Sequence, residues 1–367
     1  MALFDDQLNS RRLLALDVVR GCAMLLMLVS HTSWWINELE YRVAFGWDNL
    51  IVPALGSPES WLGYVLQLAS PAFFLLAGFS IALFAESRRR RNWDEWQITR
   101  FFVVRGLVLI TLDLTAMNIA FSEPYYHTRL SVLTGIGLCL CAMALLRRLP
   151  LRWLVVVMIA VLLGTQTYYF LNDWPREASL LRGALLAPSL EDSWFVQFPA
   201  LPWLPVVMLG FISGVKVMRG ELHLGRYAFR MGTLLFAVGV IVVAFNSFGN
   251  LYTDHPLIFG KHPPDMPYLF LYVGITFWLI ALLTRFEALN HTPAGQVLAM
   301  LGQTALFFYV IHVRVIELLT PLLADPELPP LAQSFLITAV VLPIMLLLCL
   351  GYRAYKRQHP GGVLQYL

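Results

Sequence analysis

Apolar residues along this chain come in long continuous runs, broken at intervals by short clusters of arginine, proline and polar side chains. The runs do not alternate with period two, so they predict helices rather than barrel strands. Each approaches the roughly 20 residues that cross about 30 Å of hydrocarbon at about 1.5 Å per residue. The breakers delimit ten runs, at about 13–36, 61–85, 98–121, 130–146, 152–171, 200–218, 229–247, 267–284, 297–322 and 330–352. The pattern predicts an all-α integral membrane protein, a bundle of about ten transmembrane helices forming one domain over 1–367, with no internal repeat and no low-complexity linker.

Composition agrees with a lipid environment. The 367 residues are 58% hydrophobic and 13% charged, with a mean hydropathy of +0.67, more apolar than the surface of a soluble domain tolerates. Arg11 and Arg12 precede the first run as in a secretory leader. Asp17 and Arg20 interrupt that run and no small-residue cleavage site follows, so a retained first span is expected. An even number of spans places both termini on one side. With the N-terminus cytoplasmic, 18 of the 26 Lys and Arg residues fall in inner segments, among them Arg88 to Arg91, which predicts a multi-pass protein with both ends inside.

Charge says less in total than in distribution. The formal net charge is +3 and the basic residues are spread over short loops without interleaved aromatics, which excludes nucleic acid as a partner. The cysteines Cys22, Cys139, Cys141 and Cys349 all lie in apolar runs, so neither a disulfide framework nor a metal site is expected.

Several charged and polar residues fall where lipid should be. A charge at membrane depth costs about 2.5–3.5 kcal/mol even on lenient scales, so such groups face a bundle interior and serve a purpose. The stretch RGCAMLLMLVSH carries Arg20 and His31 at its ends, and the ninth run carries His312 with Arg314 nearby. Asp17 and Arg20 are three apart and share a helix face, so they also suit a structural ion pair. His31 follows Arg20 by eleven positions, about 16 Å and three turns, on nearly the same face. Thr32, Ser33, Trp34 and Trp35 give its outer end the polar-aromatic character of a site mouth. Imidazole is the side chain suited to taking a proton from a hydroxyl or amine near neutral pH.

The pattern DVVRG, with His31 ten intervening residues after Arg20, resembles the first helix of the membrane-bound acyltransferase superfamily, which includes acyltransferase family 3 and the heparan-α-glucosaminide N-acetyltransferase-like proteins. Further stretches resemble the family in order: SPAFFLLAGFSIAL from Ser70, RFFVVRGLVLITL from Arg100, FPALPWLPVVMLGFISG from Phe198, and LGQTALFFYVIH ending at His312. Residues 122–195 carry no recognised motif.

The resemblance implies an enzyme of a bacterial inner membrane that takes an acyl group, usually acetyl from acetyl-CoA, at the cytoplasmic side. It delivers that group to a hydroxyl or amine of an extracytoplasmic sugar, glycan or glycolipid. His31 is then a general base or transient acyl carrier, and His312 assists it. Arg20 and Arg105 are expected to hold the anionic end of CoA, with Arg88 and Arg89 as further phosphate contacts, although the Arg88 to Arg91 run reads by default as a topology signal and lipid-headgroup contact. Arg314, Trp34 and Trp35 are the candidates for binding the acceptor. No permanently bound cofactor and no metal is expected; acyl-CoA, the carbohydrate acceptor and membrane lipids are the partners, with a homo-oligomer left open. Gly21 and Gly78 read as sites of close helix packing. The rival class is a secondary transporter using the same buried Arg and His residues, against which stand the absent repeat and the absence of paired broken helices.

Overall fold

A computed structural model describes residues 2–36, 58–118, 128–171, 179–191, 194–249, 261–325 and 327–359. In their described parts the ten apolar runs are mainly helical, with turns at Gln67, Leu68 and Thr304 and a strand residue at Leu130. The elements are α1 (Ala2–Ile36), α2 (Pro58–Leu66), α3 (Ala69–Arg89), α4 (Glu95–Leu112), α5 (Val132–Leu146), α6 (Leu151–Leu171), α7 (Leu180–Leu185) and α8 (Ala200–Met218). They continue with α9 (Leu224–Gly249), α10 (Met266–Arg285), α11 (Glu287–His291), α12 (Pro293–Gln303), α13 (Ala305–Leu323) and α14 (Pro330–Gln358). Between them β1 (Arg129–Leu130), β2 (Ser189–Glu191) and β3 (Trp194–Val196) form a three-stranded sheet in the order β1-β3-β2, which the all-helical expectation omits.

Among the described residues, eight helical segments are long and apolar enough to cross a membrane. The runs at 98–121 and 130–146 do not meet that measure. The helix α5 has 15 residues, about 22 Å at 1.5 Å per residue. The other run opens with Arg100 and Arg105 in α4 and passes into a π-helical turn at Asp113–Met117. The ninth run is two helices rather than one: the backbone leaves helical geometry at Thr304 (φ −108°, ψ 20°) between α12 and α13.

Interior position follows sequence closely. The spans formed by α8 and by α2 with α3 are the most enclosed, whereas α6 and α9 have only 17% of their apolar windows buried and form the lipid-facing flanks. Helices α3 and α8 run parallel and meet at glycines: a Cβ on Gly78 would lie 2.0 Å from the Val207 carbonyl oxygen, and one on Gly210 would lie 2.1 Å from that of Leu75. Only a residue without a side chain permits backbones this close. The same device joins α1 to α12, where Gly21 faces Leu298 and Gly302 faces Asp17.

Contacts between helices also sort the loops. Tyr268 at the start of α10 bonds the Gln67 carbonyl and Phe277 meets Phe79, so α10 runs parallel to α3. In antiparallel α9, Gly225 lies against Thr284 and Gly239 against Leu271. Arg88 to Arg91, Lys216, Arg219, Arg226, Arg230 and Arg285 therefore gather at one end of the bundle. His31 lies towards the other.

Candidate functional site

Helix α1 supplies both ends of the site. At the basic end, Arg20 is tethered on three sides. Its Nη1 donates to Asp17 Oδ1 at 2.8 Å and to the Gly302 carbonyl at 3.3 Å, while Nη2 donates to Ser80 Oγ at 2.9 Å. Gly302 can accept because the break at Thr304 ends α12 there, and carbonyls in a last helical turn lack partners of their own and carry partial negative charge. The ion pair with Asp17 exists, and the guanidinium also lines a cavity of about 270 Å³.

Arg105 of α4 lines the same cavity. It is half-buried and, among the described residues, no carboxylate lies within ion-pair distance of it. Two guanidiniums converge on apolar walls made by Phe73, Phe84, Phe101, Phe102 and Leu306. A half-buried cation without a protein counter-charge creates a place for an anion.

Towards the opposite end, His31 lines a second cavity of about 60 Å³ with Ser30, Ser70, Arg129, Ser131, Gln197 and Lys261. Phe73, Val132 and Tyr309 line both cavities, so the two adjoin across a shared wall. His31 Nδ1 lies 2.6 Å from Nε2 of His312, which comes from α13 and is fully buried. The ring centroids are 4.9 Å apart and the planes differ by 14°. With nitrogens in hydrogen-bond contact, that spacing places the rings edge to edge in nearly one plane rather than face to face.

The partners of His312 fix the tautomers. Its Nδ1 lies 3.0 Å from the Phe308 carbonyl and 2.7 Å from that of Tyr309, both acceptors only, so Nδ1 carries the proton. Nε2 of His312 is then an acceptor, His31 Nδ1 donates to it, and His31 Nε2 is left as the basic nitrogen of a neutral imidazole.

A buried carboxylate braces the outer cavity. Asp113, in the π-helical turn, accepts from the backbone N–H of Ser131 at 2.7 Å and of Thr134 at 3.0 Å, and from both hydroxyls. It thereby caps α5 from outside, since Ser131 makes no side-chain cap of its own. Ser131 Oγ reaches Tyr309 Oη at 3.3 Å. Arg129 donates to Gln197 Oε1 at 2.9 Å across β1 and β3. Lys261 sits 5.8 Å from the Phe198 ring centroid, and burial pushes its ammonium down to about 8.

Other residues singled out from sequence lie apart. Arg314 pairs with Glu317 at 2.5 Å and lines neither cavity. Arg88 lies over the rings of Phe84 and Trp93 at 4.8 and 4.6 Å, and Arg89 pairs with Glu95 at 2.7 Å; neither lines the cavity that holds Arg20. The side chains of Trp34 and Trp35 fall outside the described residues. Sequence reasoning passed over Arg129, Lys261, Ser70 and Tyr309 as site residues. The first two did carry a signal, as two of the few cations outside the basic end.

A family model describing an acyltransferase domain, that of acyltransferase family 3, matches residues 13–352. The chain belongs to acyltransferase family 3. No curated protein matches it. The match includes both imidazoles, both cavity arginines and every membrane-crossing helix but the last residues of α14, so the protein is a multi-pass membrane acyltransferase. A further cavity, about 1050 Å³ between α9 and α10, shares no residue with these two.

Proposed function

We propose that this acyltransferase moves an acetyl group from cytoplasmic acetyl-CoA to a hydroxyl or amine of an extracytoplasmic sugar, glycan or glycolipid, with His31 as general base. The observation that carries this is the pair of adjoining cavities, one lined by Arg20 and Arg105, the other by His31, with Phe73, Val132 and Tyr309 common to both. CoA joins a highly anionic nucleotide to a long uncharged arm ending in the thioester. Cations followed by apolar walls suit that order, and the roughly 16 Å from Arg20 to His31 suits the length of the arm.

In the proposed reaction the acceptor hydroxyl gives its proton to His31 Nε2 while its oxygen attacks the thioester carbonyl carbon. The tetrahedral oxyanion forms beside Arg129 and Lys261, which offset its charge. The C–S bond then breaks, the acyl group stays on the acceptor, and the sulfur leaves with the proton from imidazolium as CoA thiol. His312 keeps the His31 ring oriented and its protonation site defined. At roughly 10–15 Å³ per water-sized group, the outer cavity of about 60 Å³ has room for an acetyl group and a hydroxymethyl, which favours acetyl over long acyl chains.

The test uses proteoliposomes given labelled acetyl-CoA on one side and an envelope glycan extract on the other. Label is expected on the glycan only when the protein is present. It should disappear in Val132→Trp, which fills the shared wall, while CoA still protects that variant from heat. Absence of CoA protection in the unaltered protein, or full transfer by Val132→Trp, would overturn the proposal.

A further inference from the structure

The cavity of about 1050 Å³ between α9 and α10 plays no part in the chemistry above. It sits at the basic end, where α9 begins and α10 finishes, on a lipid-facing flank. Its walls are apolar, formed chiefly by Phe229, Ile275, Trp278, Leu279, Leu282 and Phe286. Its rim carries three cations. Arg226 and Arg230 are one turn apart on α9 and so share a face, and Arg285 closes α10 with its guanidinium 5.6 Å over the Phe286 ring.

All three arginines are exposed, and none has a carboxylate within 4.0 Å among the described residues. Glu287, the one acid of the lining, lies 3.8 Å from His291. An apolar groove on a lipid-facing flank, capped at its basic end by three guanidiniums with no carboxylate within 4.0 Å among the described residues, has the chemistry of a two-part ligand: a phosphate above, an alkyl chain below. At about 1050 Å³ it stands at the upper edge of the roughly 300–1,000 Å³ usual for small-molecule sites, as a chain-bearing ligand requires.

We infer that this groove is a specific site for an anionic glycerophospholipid, its phosphate held by Arg226, Arg230 and Arg285 and one acyl chain laid between α9 and α10. This occupant is independent of the acyl-transfer mechanism, since the groove shares no residue with either catalytic cavity. A neutral zwitterionic lipid fits less well, because its ammonium would face the same three cations.

The test is native mass spectrometry of the delipidated full chain titrated with phosphatidylglycerol or with phosphatidylcholine of the same acyl chains. Phosphatidylglycerol adducts are expected to persist at collision energies that strip phosphatidylcholine. The double variant Arg226→Gln, Arg230→Gln should bind phosphatidylglycerol about thirtyfold more weakly, about fivefold for each cation removed. The matching Lys variants should keep the preference, which shows that charge rather than folding is being read. Equal retention of the two lipids, unchanged affinity in the Gln variant, or full thermal protection by glycerol phosphate alone would overturn the inference, the last by showing that a soluble phosphate suffices.

Discussion

Replacing His312 by alanine tests whether the second imidazole orients the first. Its Nε2 is the acceptor for His31 Nδ1 at 2.6 Å in a buried setting, so the variant leaves that N–H without its partner and releases the ring to rotate and change tautomer. Loss of one buried acceptor costs about 1–3 kcal/mol, which at 1.36 kcal/mol per tenfold is about 5- to 150-fold in rate. Orienting partners of this kind usually contribute about 10–100-fold. His31→Ala removes the base itself and should cost about 10²–10⁴-fold. Because the partner acts only through the base, the double variant should be no slower than His31→Ala. The assay is transfer of labelled acetyl from acetyl-CoA in proteoliposomes, with CoA heat protection confirming that each variant folds and binds donor. A His312→Ala loss as deep as that of His31→Ala, or additive losses in the double variant, would refute the assignment of roles.

Three further outcomes follow from the same geometry. Arg105→Gln removes a cavity cation that has no carboxylate within ion-pair distance among the described residues, so it should raise KM for acetyl-CoA about tenfold or more with kcat little changed, the value of one charge-assisted contact of about 1.5–3 kcal/mol; a kcat effect alone in steady-state kinetics would contradict it. Gly78→Val would force a Cβ to within 2.0 Å of the Val207 carbonyl oxygen and push α3 from α8, so monodisperse protein should be lost on size-exclusion chromatography. Gly63→Ala, with nothing within 4 Å, should be silent. Folding lowers Lys261 from 10.5 to about 8. The unfolded chain thus holds the extra proton between those pH values, and stability should rise with pH across that window. Lys261→Met should be more stable than the parent at pH 7, by at most about 3 kcal/mol, with the difference closing by about pH 10.5; a constant difference in denaturation midpoints from pH 7 to 10.5 would count against it.

Much of the scaffold was legible because lipid imposes a coarse rule on sequence. Continuous apolar runs must be helical when no water is present to satisfy the backbone, and each run is mainly helical in its described part. The rule is blind to breaks that protein contacts satisfy internally. Thr304 interrupts the ninth run, where the freed Gly302 carbonyl is answered by Arg20, 282 residues away. Asp113 sits within an apolar run because four donors from Ser131 and Thr134 surround it. Neither partnership has a local signature. Arg20 and His31 stood out because both lie on one helix, where spacing converts directly to distance. Arg129 and Lys261 reach His31 only through loops and a short sheet whose pairing, Arg129 opposite Phe195, depends on tertiary contacts.

The imidazole pair also bears on whether the proposed transfer across a membrane would conduct protons. A relay needs each member to accept on one side and donate on the other. His312 cannot do so while its Nδ1–H is committed to the Phe308 and Tyr309 carbonyls, which have no proton to exchange. A proton taken up by His31 Nε2 therefore has no onward path through α13, and in the proposed reaction it departs with the sulfur. The wall shared by the two cavities includes the apolar side chains Phe73 and Val132. In the proposed reaction Arg20 and His31, about three turns apart on α1, keep the donor's anionic end away from the base.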